Sequence, residues 1–400
     1  MKQGTPKGLR LHIALFGRRN VGKSSLLNAI AQQQVAIVSD KPGTTTDPVE
    51  KSMELPVIGP VVLIDTAGID DPGDLGALRV DKTNQAVERA DIALIVVGAG
   101  QWGNYEEDLV TRFSEKQTPT IVVFNQNDVA GPNEEVLDRL SQLKIPWVFT
   151  VASNNTGIFE LRSALLNAAP ADKDETIIGD LVAPGDLVVL VTPIDDQAPK
   201  GRLILPQVQT IRDLLDHDAY CLVVKDDQLS NALKDLNAPP KLVVTDSQAF
   251  AKVFTVVPPD VPMTSFSILF SRFKGDLATM AAGANAIKDL KPGDKVLIAE
   301  ACGHHPGEED IGKVKIPALL NKFVGGHLEF FHAQGRDFPS DLSPYKLVIH
   351  CGACMWNKKA MLNRLLECHN QNVPITNYGL TIAFALGILD RAIKPFLAGR

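Results

Sequence analysis

Leu11-His12-Ile13-Ala14-Leu15-Phe16-Gly17-Arg18-Arg19-Asn20-Val21-Gly22-Lys23-Ser24-Ser25 is the stretch that decides the fold. Its first six residues form an apolar run of strand length, which passes directly into a complete G-x-x-x-x-G-K-S loop, Gly17 to Ser24. An amphipathic helical pattern follows over Ser25–Gln33. Glycines let such a loop wrap a phosphate chain, while successive N–H groups and the helix N-terminus supply the donors. Lys23 is placed to reach the β- and γ-phosphates, and Ser24 to ligate Mg²⁺. Gly17, Asn20, Gly22, Lys23, Ser24 and Ser25 are the nucleotide-binding residues expected on this loop.

Further strands are expected at Val61–Ile64, Ile92–Val97, Thr120–Phe124 and Trp147–Val151, alternating with helical patterns. That alternation predicts a doubly wound α/β domain over residues 1–170. Asp65-Thr66-Ala67-Gly68 follows one strand, so the Asp65 carboxylate falls on the magnesium side and Gly68 can meet the γ-phosphate. Asn125-Gln126-Asn127-Asp128 follows another, and Asp128 can accept from both N1–H and N2–H₂ of guanine, which adenine does not offer. After the last strand, Val151-Ala152-Ser153 places the Ala152 N–H for the guanine carbonyl.

These residues at this spacing closely resemble the GTPase family, in the branch that includes the tRNA-modification and ribosome-assembly GTPases. Gln126 stands where that family usually has lysine, and Val151 where it has serine. Both departures weaken packing around the base rather than its hydrogen bonds. In the switch segment Pro42–Pro48 the resemblance assigns Thr45 to Mg²⁺ when a γ-phosphate is present, with Thr44 and Thr46 as rivals. Ile69 follows Gly68 where many relatives carry a water-positioning glutamine. Asn20 matches relatives in which this asparagine helps bind a potassium ion. The resemblance therefore implies a GTP/GDP switch with Mg²⁺ and K⁺, slow unstimulated turnover, and Lys23, Asn20 and Thr45 as the catalytic set.

Composition excludes several other classes. A net charge of −7 and a pI near 5.7 argue against a nucleic-acid partner bound by bulk electrostatics. Five unevenly placed cysteines do not resemble a secreted disulfide framework. No apolar stretch reaches membrane-span length, since Leu380–Leu389 reads as a buried helix, and no signal peptide precedes the first strand. A cytoplasmic protein without membrane or nucleic-acid partners is expected.

A polar, proline-containing linker, Ala168–Glu175, precedes a second small α/β domain at 171–262. Strands are expected there at Leu187–Val191, Cys221–Val224, Lys241–Thr245 and Val253–Val256, and helices at Gln207–His217 and Ser230–Leu236. The paired carboxylates Asp195-Asp196 and Asp226-Asp227 read as solvated loop caps, so this module is expected to serve dimerisation or coupling. A proline-rich joint, Val257–Pro262, opens a third α/β domain at 263–400. Its strands are expected at Lys295–Ala301, Gly326–Phe331, Tyr345–Ile349 and Val373–Asn377, and its helices at Leu277–Leu290, Lys315–Val324 and Lys358–Asn370.

Two of these strands end in cysteine-bearing loops, Cys302-Gly303-His304-His305 and His350-Cys351-Gly352-Ala353-Cys354. Strand-end loops of a parallel sheet converge on one crevice, so Cys302, Cys351 and Cys354 can share a metal. Three cysteines with a histidine suit either iron–sulfur or structural zinc. His304, His305, Glu308 or Glu309 can furnish a fourth ligand, and His350 either ligates or supports from behind. Cys221 and Cys368 read as packing residues.

An N-terminal GTPase, a ligandless middle and a C-x-H…H-C-x-x-C domain together resemble the [FeFe]-hydrogenase maturation GTPases along essentially the whole chain. The resemblance implies a [4Fe–4S] cluster on Cys302, Cys351 and Cys354, with His304 or another group at a labile fourth position. It also implies a homodimer that receives a transient di-iron precursor from radical-SAM hydrogenase maturases and delivers it to apo-[FeFe]-hydrogenase. The alternative is a tRNA- or ribosome-linked GTPase with a structural zinc.

Overall fold

The computed structural model describes residues 5–31, 49–55, 58–66, 83–169, 176–194, 200–301, 310–335 and 337–397. Thr44, Thr45, Thr46, Gly68, Asp195, Asp196, Cys302, His304, His305, Glu308 and Glu309 lie outside them. The chain divides into two compact units, Met1–Lys173 and Asp174–Arg400.

In the first unit six strands form one sheet: β1 (Leu11–Phe16), β2 (Val49–Leu55), β3 (Gly59–Asp65), β4 (Ile92–Gly98), β5 (Thr120–Asn125) and β6 (Trp147–Phe149). Their order is β2-β3-β1-β4-β5-β6. All neighbours are parallel except β2, which pairs antiparallel with β3 at the edge. The inner strands are continuous apolar runs because helices cover both faces; every residue of β4 is buried. One core lies under the Lys23–Ala31 and Ile158–Ala168 helices, and the other under the Asn104–Glu115 and Glu134–Gln142 helices.

The second unit holds two all-parallel four-stranded sheets. The first has the order β10-β9-β7-β8, from β7 (Leu187–Val191), β8 (Tyr220–Val224), β9 (Leu242–Thr245) and β10 (Met263–Ser265). The second has the order β12-β11-β13-β14, from β11 (Lys295–Glu300), β12 (Glu329–Gln334), β13 (Leu347–His350) and β14 (Ile375–Asn377). Val189, Val191 and Val243 of the first sheet share one core with Val296, Ile298 and Val348 of the second.

Two expectations about elements need correction. Val253–Val256 is not a strand but the end of a helix, Phe250–Val256. Phe250, Val253 and Val257 are its buried side chains and C-terminal neighbour, and their helical spacing outweighs the β-branched composition. The proline-rich joint does not close the middle sheet, because β10 beyond it pairs with β9. Beyond the joint, Met263–Lys274 contains both β10 and the helix Phe266–Lys274, capped by Ser265 Oγ accepting from the Ile268 N–H at 3.2 Å.

Candidate nucleotide and metal sites

The nucleotide loop leaves the carboxyl end of β1, flanked by β3 and β4. In this structure Lys23 folds back on its own loop, with Nζ donating to the Gly17 and Arg18 carbonyls at 2.7 and 2.6 Å. Leu15 pairs with Asp65 in the β1–β3 register, which brings Asp65 beside the loop. Thr66 fixes that corner, its hydroxyl donating to the Leu15 carbonyl at 2.6 Å. Ser24 Oγ donates to Asp65 Oδ2 at 2.6 Å, while Asp65 Oδ1 is buried with no hydrogen-bond partner among the described residues. Burial raises the Asp65 pKa, only partly offset by Ser24 and Lys23. A buried hydroxyl–carboxylate pair with one unspent oxygen fits a hard divalent cation such as Mg²⁺ or its water.

Asn125 ties the base side together. Its Nδ2 donates to the Val21 carbonyl at 2.9 Å, and its Oδ1 accepts from Thr150 Oγ1 and the Ala152 N–H, both at 3.1 Å. In this structure, then, the Ala152 N–H is engaged by Asn125. Gly22 lies so close that a Cβ there would sit 2.3 Å from Asn125 Nδ2, and its φ of +86° is left-handed, so only glycine fits. Gln126, in place of the usual lysine, still reaches the phosphate loop, donating from Nε2 to the Asn20 carbonyl at 3.0 Å. Asp128 is exposed just beyond, open to a base edge. Ser25 stands in the first turn of the Lys23–Ala31 helix.

One functional residue was not legible. Arg18 makes a bidentate pair with the buried Glu106, two bonds of 2.9 Å, and Glu106 also caps its helix by accepting from the Gly103 N–H. This clamps the phosphate loop to the Asn104–Glu115 helix, 88 positions away, and no local pattern announces it.

In the second unit, the sheet β12-β11-β13-β14 changes direction between β11 and β13, the switch point at which parallel sheets place their ligands. Ala299 pairs with His350 there, and the Cys351 N–H donates to the Ala299 carbonyl at 2.9 Å. The Ala301 N–H in turn donates to Cys351 Sγ at 3.1 Å. The backbone entering Cys302 is thus in contact with the Cys351 sulfur. Ala353 takes a φ of +49°, turning the chain between the two half-buried cysteines Cys351 and Cys354. Two thiols at a switch point, with an N–H already aimed at one sulfur, fit a thiolate-bound metal. Among the described residues no group of three or more His, Cys, Asp or Glu forms a metal cluster.

His350 is fully buried, and both ring nitrogens are engaged. Nδ1 donates to the Cys351 carbonyl at 2.8 Å, and Nε2 faces Arg364 Nη1 at 2.5 Å. Burial, reinforced by Arg364, lowers its pKa to about 3, so the ring is neutral. That geometry makes it a support behind Cys351. Cys368 is buried in the Lys358–Asn370 helix and pushed up to about 12 by burial, an inert thiol. Cys221 is half-buried in β8. Beside Cys354 lies a cavity of about 160 Å³, lined by loop and helix residues that include Asp246, Ser247, Phe270, Tyr378, Gly352 and Cys354.

A G-x-x-x-x-G-K-S loop on β1, an Asp65 corner on β3 and an Asn125–Asp128 segment after β5 make the N-terminal unit a P-loop GTPase domain. Residues 12–126 match the family model of a 50S ribosome-binding GTPase, residues 177–275 the hydrogen maturase F dimerization domain, and residues 278–395 the hydrogen maturase F tetramerization domain. The chain belongs to the hydrogen maturase F family, the GTPases of hydrogenase maturation, and carries that family's self-association domains.

Curated relatives match part of this chain. The tRNA modification GTPase MnmE of Nitrosomonas europaea is 39% identical over 171 residues, covering 42% of this chain and 37% of that protein. GTPase Der of Deinococcus deserti is 37% identical over 169 residues, 40% of this chain and 38% of that one. The chain thus spans well under half the length of these relatives. The solved structure of Aquifex aeolicus Era bound to GDP.AlF4⁻ shares 22% identity at a TM-score of 0.36, over 54% of this chain and 92% of that one. No helix among the described residues is long and apolar enough to cross a membrane.

Proposed function

We propose that this protein is a GTP-hydrolysing scaffold that binds a [4Fe–4S] cluster and a di-iron precursor and delivers the precursor to apo-[FeFe]-hydrogenase. The observation that carries this reading is the Ala301 N–H on Cys351 Sγ, which supports Cys302, Cys351 and Cys354 meeting at one switch point. Three thiolates leave one cluster iron for a weaker ligand, His304 or a neighbouring loop group, and an exchangeable iron is what a carrier needs. His350 holds the Cys351 carbonyl from behind.

On the nucleotide side, Lys23 would leave the Gly17 and Arg18 carbonyls for the β- and γ-phosphates, and Asp128 would accept from guanine N1 and N2. Ser24, Asp65 and Thr45 would hold Mg²⁺, which screens the phosphate charge, and Gly68 would meet the γ-phosphate. Asn20 would help hold K⁺. The chain is read as three functional domains: GTPase at 1–170, dimerisation at 171–262 with β10 lent from beyond, and cluster binding at 263–400. It would work as a cytoplasmic homodimer, receiving cargo from radical-SAM maturases, without membrane or nucleic acid.

The test is anaerobic purification and reconstitution of the full chain. A brown protein with a [4Fe–4S] signal is expected. That signal should be largely lost on Cys302→Ser, Cys351→Ser or Cys354→Ser and kept on His304→Ala. A colourless protein carrying zinc would overturn the reading.

A further inference from the structure

Arg364 lies on the helix Lys358–Asn370, beneath the cysteine-bearing loop, and is only 7% exposed. Its guanidinium is sandwiched between two aromatic rings, Trp356 at 4.1 Å and Phe338 at 4.4 Å from their centroids. Nη1 is spent on His350 Nε2 and Nη2 on the Gly335 carbonyl at 2.6 Å. Both acceptors are neutral. Among the described residues no carboxylate pairs with it. A buried guanidinium left this way is costly, and proteins seldom keep one without a counter-charge.

Burial pulls the Arg364 pKa down to about 10, only partly offset by the neighbouring Cys351 and Cys368, so the guanidinium still carries its charge at neutral pH. The linkage is also covalently short: Arg364 holds His350, and His350 holds the carbonyl of Cys351 itself. A second buried basic side chain reaches the same loop from the helix Phe266–Lys274: Lys274, 2% exposed, donates from Nζ to the Trp356 carbonyl at 2.9 Å.

We propose that Arg364 is an electrostatic positioning residue of the metal site, whose fixed positive charge raises the reduction potential of the cluster held at Cys351. The inference rests on the cluster reading given above. A [4Fe–4S]²⁺ core with three thiolates carries a net 1− charge and becomes 2− when it takes one electron from an external reductant such as dithionite. A nearby fixed cation favours the more negative, reduced form. The aromatic sandwich and the His350 bridge keep that cation out of water, where screening would erase its effect.

The experiment is a mediated redox titration of the anaerobically reconstituted full chain, read by the EPR signal of the reduced cluster. Arg364→Met should lower the reduced-to-oxidised ratio at a fixed potential roughly tenfold, a move of about 59 mV to more negative potential for a one-electron couple. Arg364→Lys should titrate close to the wild type. If Arg364→Met does not fold, Arg364→Gln, which keeps a donor for the Gly335 carbonyl, should show the same negative shift. Equal potentials for the wild type and a charge-removing variant would overturn the inference, as would Arg364→Lys shifting as far as Arg364→Met. A wild type that binds no cluster would instead overturn the cluster reading, and this inference with it.

Discussion

Replacing Asn125 by alanine should loosen both ends of the nucleotide site at once. The side chain is 2% exposed and makes three hydrogen bonds, to the Val21 carbonyl, the Thr150 hydroxyl and the Ala152 N–H. Each bond is worth about 1 kcal/mol net, and alanine leaves three polar groups behind without a partner. The loss should come to about 3 kcal/mol, which is roughly a hundredfold in a local opening equilibrium. Thr150→Val removes one bond and should cost about 1 kcal/mol. Peptide-resolved hydrogen exchange on the full chain would read both, with faster exchange expected in peptides covering Gly17–Ser24 and Trp147–Ala152. GTP affinity should fall in parallel, since the phosphate loop and the Ala152 loop lose their common anchor. If Asn125→Ala cost no more than Thr150→Val, or if exchange rose in only one of the two loops, the three bonds would not be acting as one tie.

In Gly283→Ala a new Cβ would lie 1.9 Å from the Ile375 carbonyl, so the helix Leu277–Asn285 must retreat from β14. A lowered calorimetric transition, worth about 1–3 kcal/mol, is expected despite alanine's better helix propensity; a raised one would refute the close approach. Asp180 is held below the ordinary carboxylate value. Burial raises its pKa, but the hydrogen bonds from Arg272 and Thr176 outweigh it. Its contribution is therefore full above the unfolded pKa near 4 and lost as pH falls through the lower folded value. Both partners are partly exposed, so about 0.2–1 kcal/mol is expected, and Asp180→Asn should flatten the acid limb of the stability–pH curve. Asp128→Asn should shift preference from guanine to xanthine nucleotides in competition binding, and unchanged GTP affinity would place base recognition elsewhere. GTP turnover should be faster in potassium than in sodium chloride, and Asn20→Ala should remove the difference.

The nucleotide half of the molecule was largely legible because its chemistry is contiguous: a strand, a glycine loop and a helix within 21 residues. The strands that lead into the cysteine loops, β11 and β13, were legible as apolar runs of strand length. What escaped depends on distance or on uniform burial. The edge strand β2 reads Val-Glu-Lys-Ser-Met-Glu-Leu, too polar to stand out until it pairs with β3. The helix Phe266–Lys274 buries Ser271 and Lys274 along with Phe266, Ile268, Leu269 and Phe270, so its burial does not follow the polarity of its sequence. Nothing in the local sequence singles out Arg18 or Arg364, and only tertiary contacts with Glu106 and His350 give them work.

Because the two sheets of the second unit share one core, and because β10 crosses the proline-rich joint, the cysteine-bearing part is not a detachable cartridge. A cleavage between Pro262 and Met263 would strip β9 of its neighbour and bare an apolar edge that invites aggregation. The same cut would separate Asp246 and Ser247 from Gly352 and Cys354, opening the crevice that shields the second cysteine from bulk solvent. A cluster of the kind proposed above would be protected there only as long as the polypeptide stays in one piece, so proteolytic nicking at that joint and oxidative loss of reconstituted iron should go together.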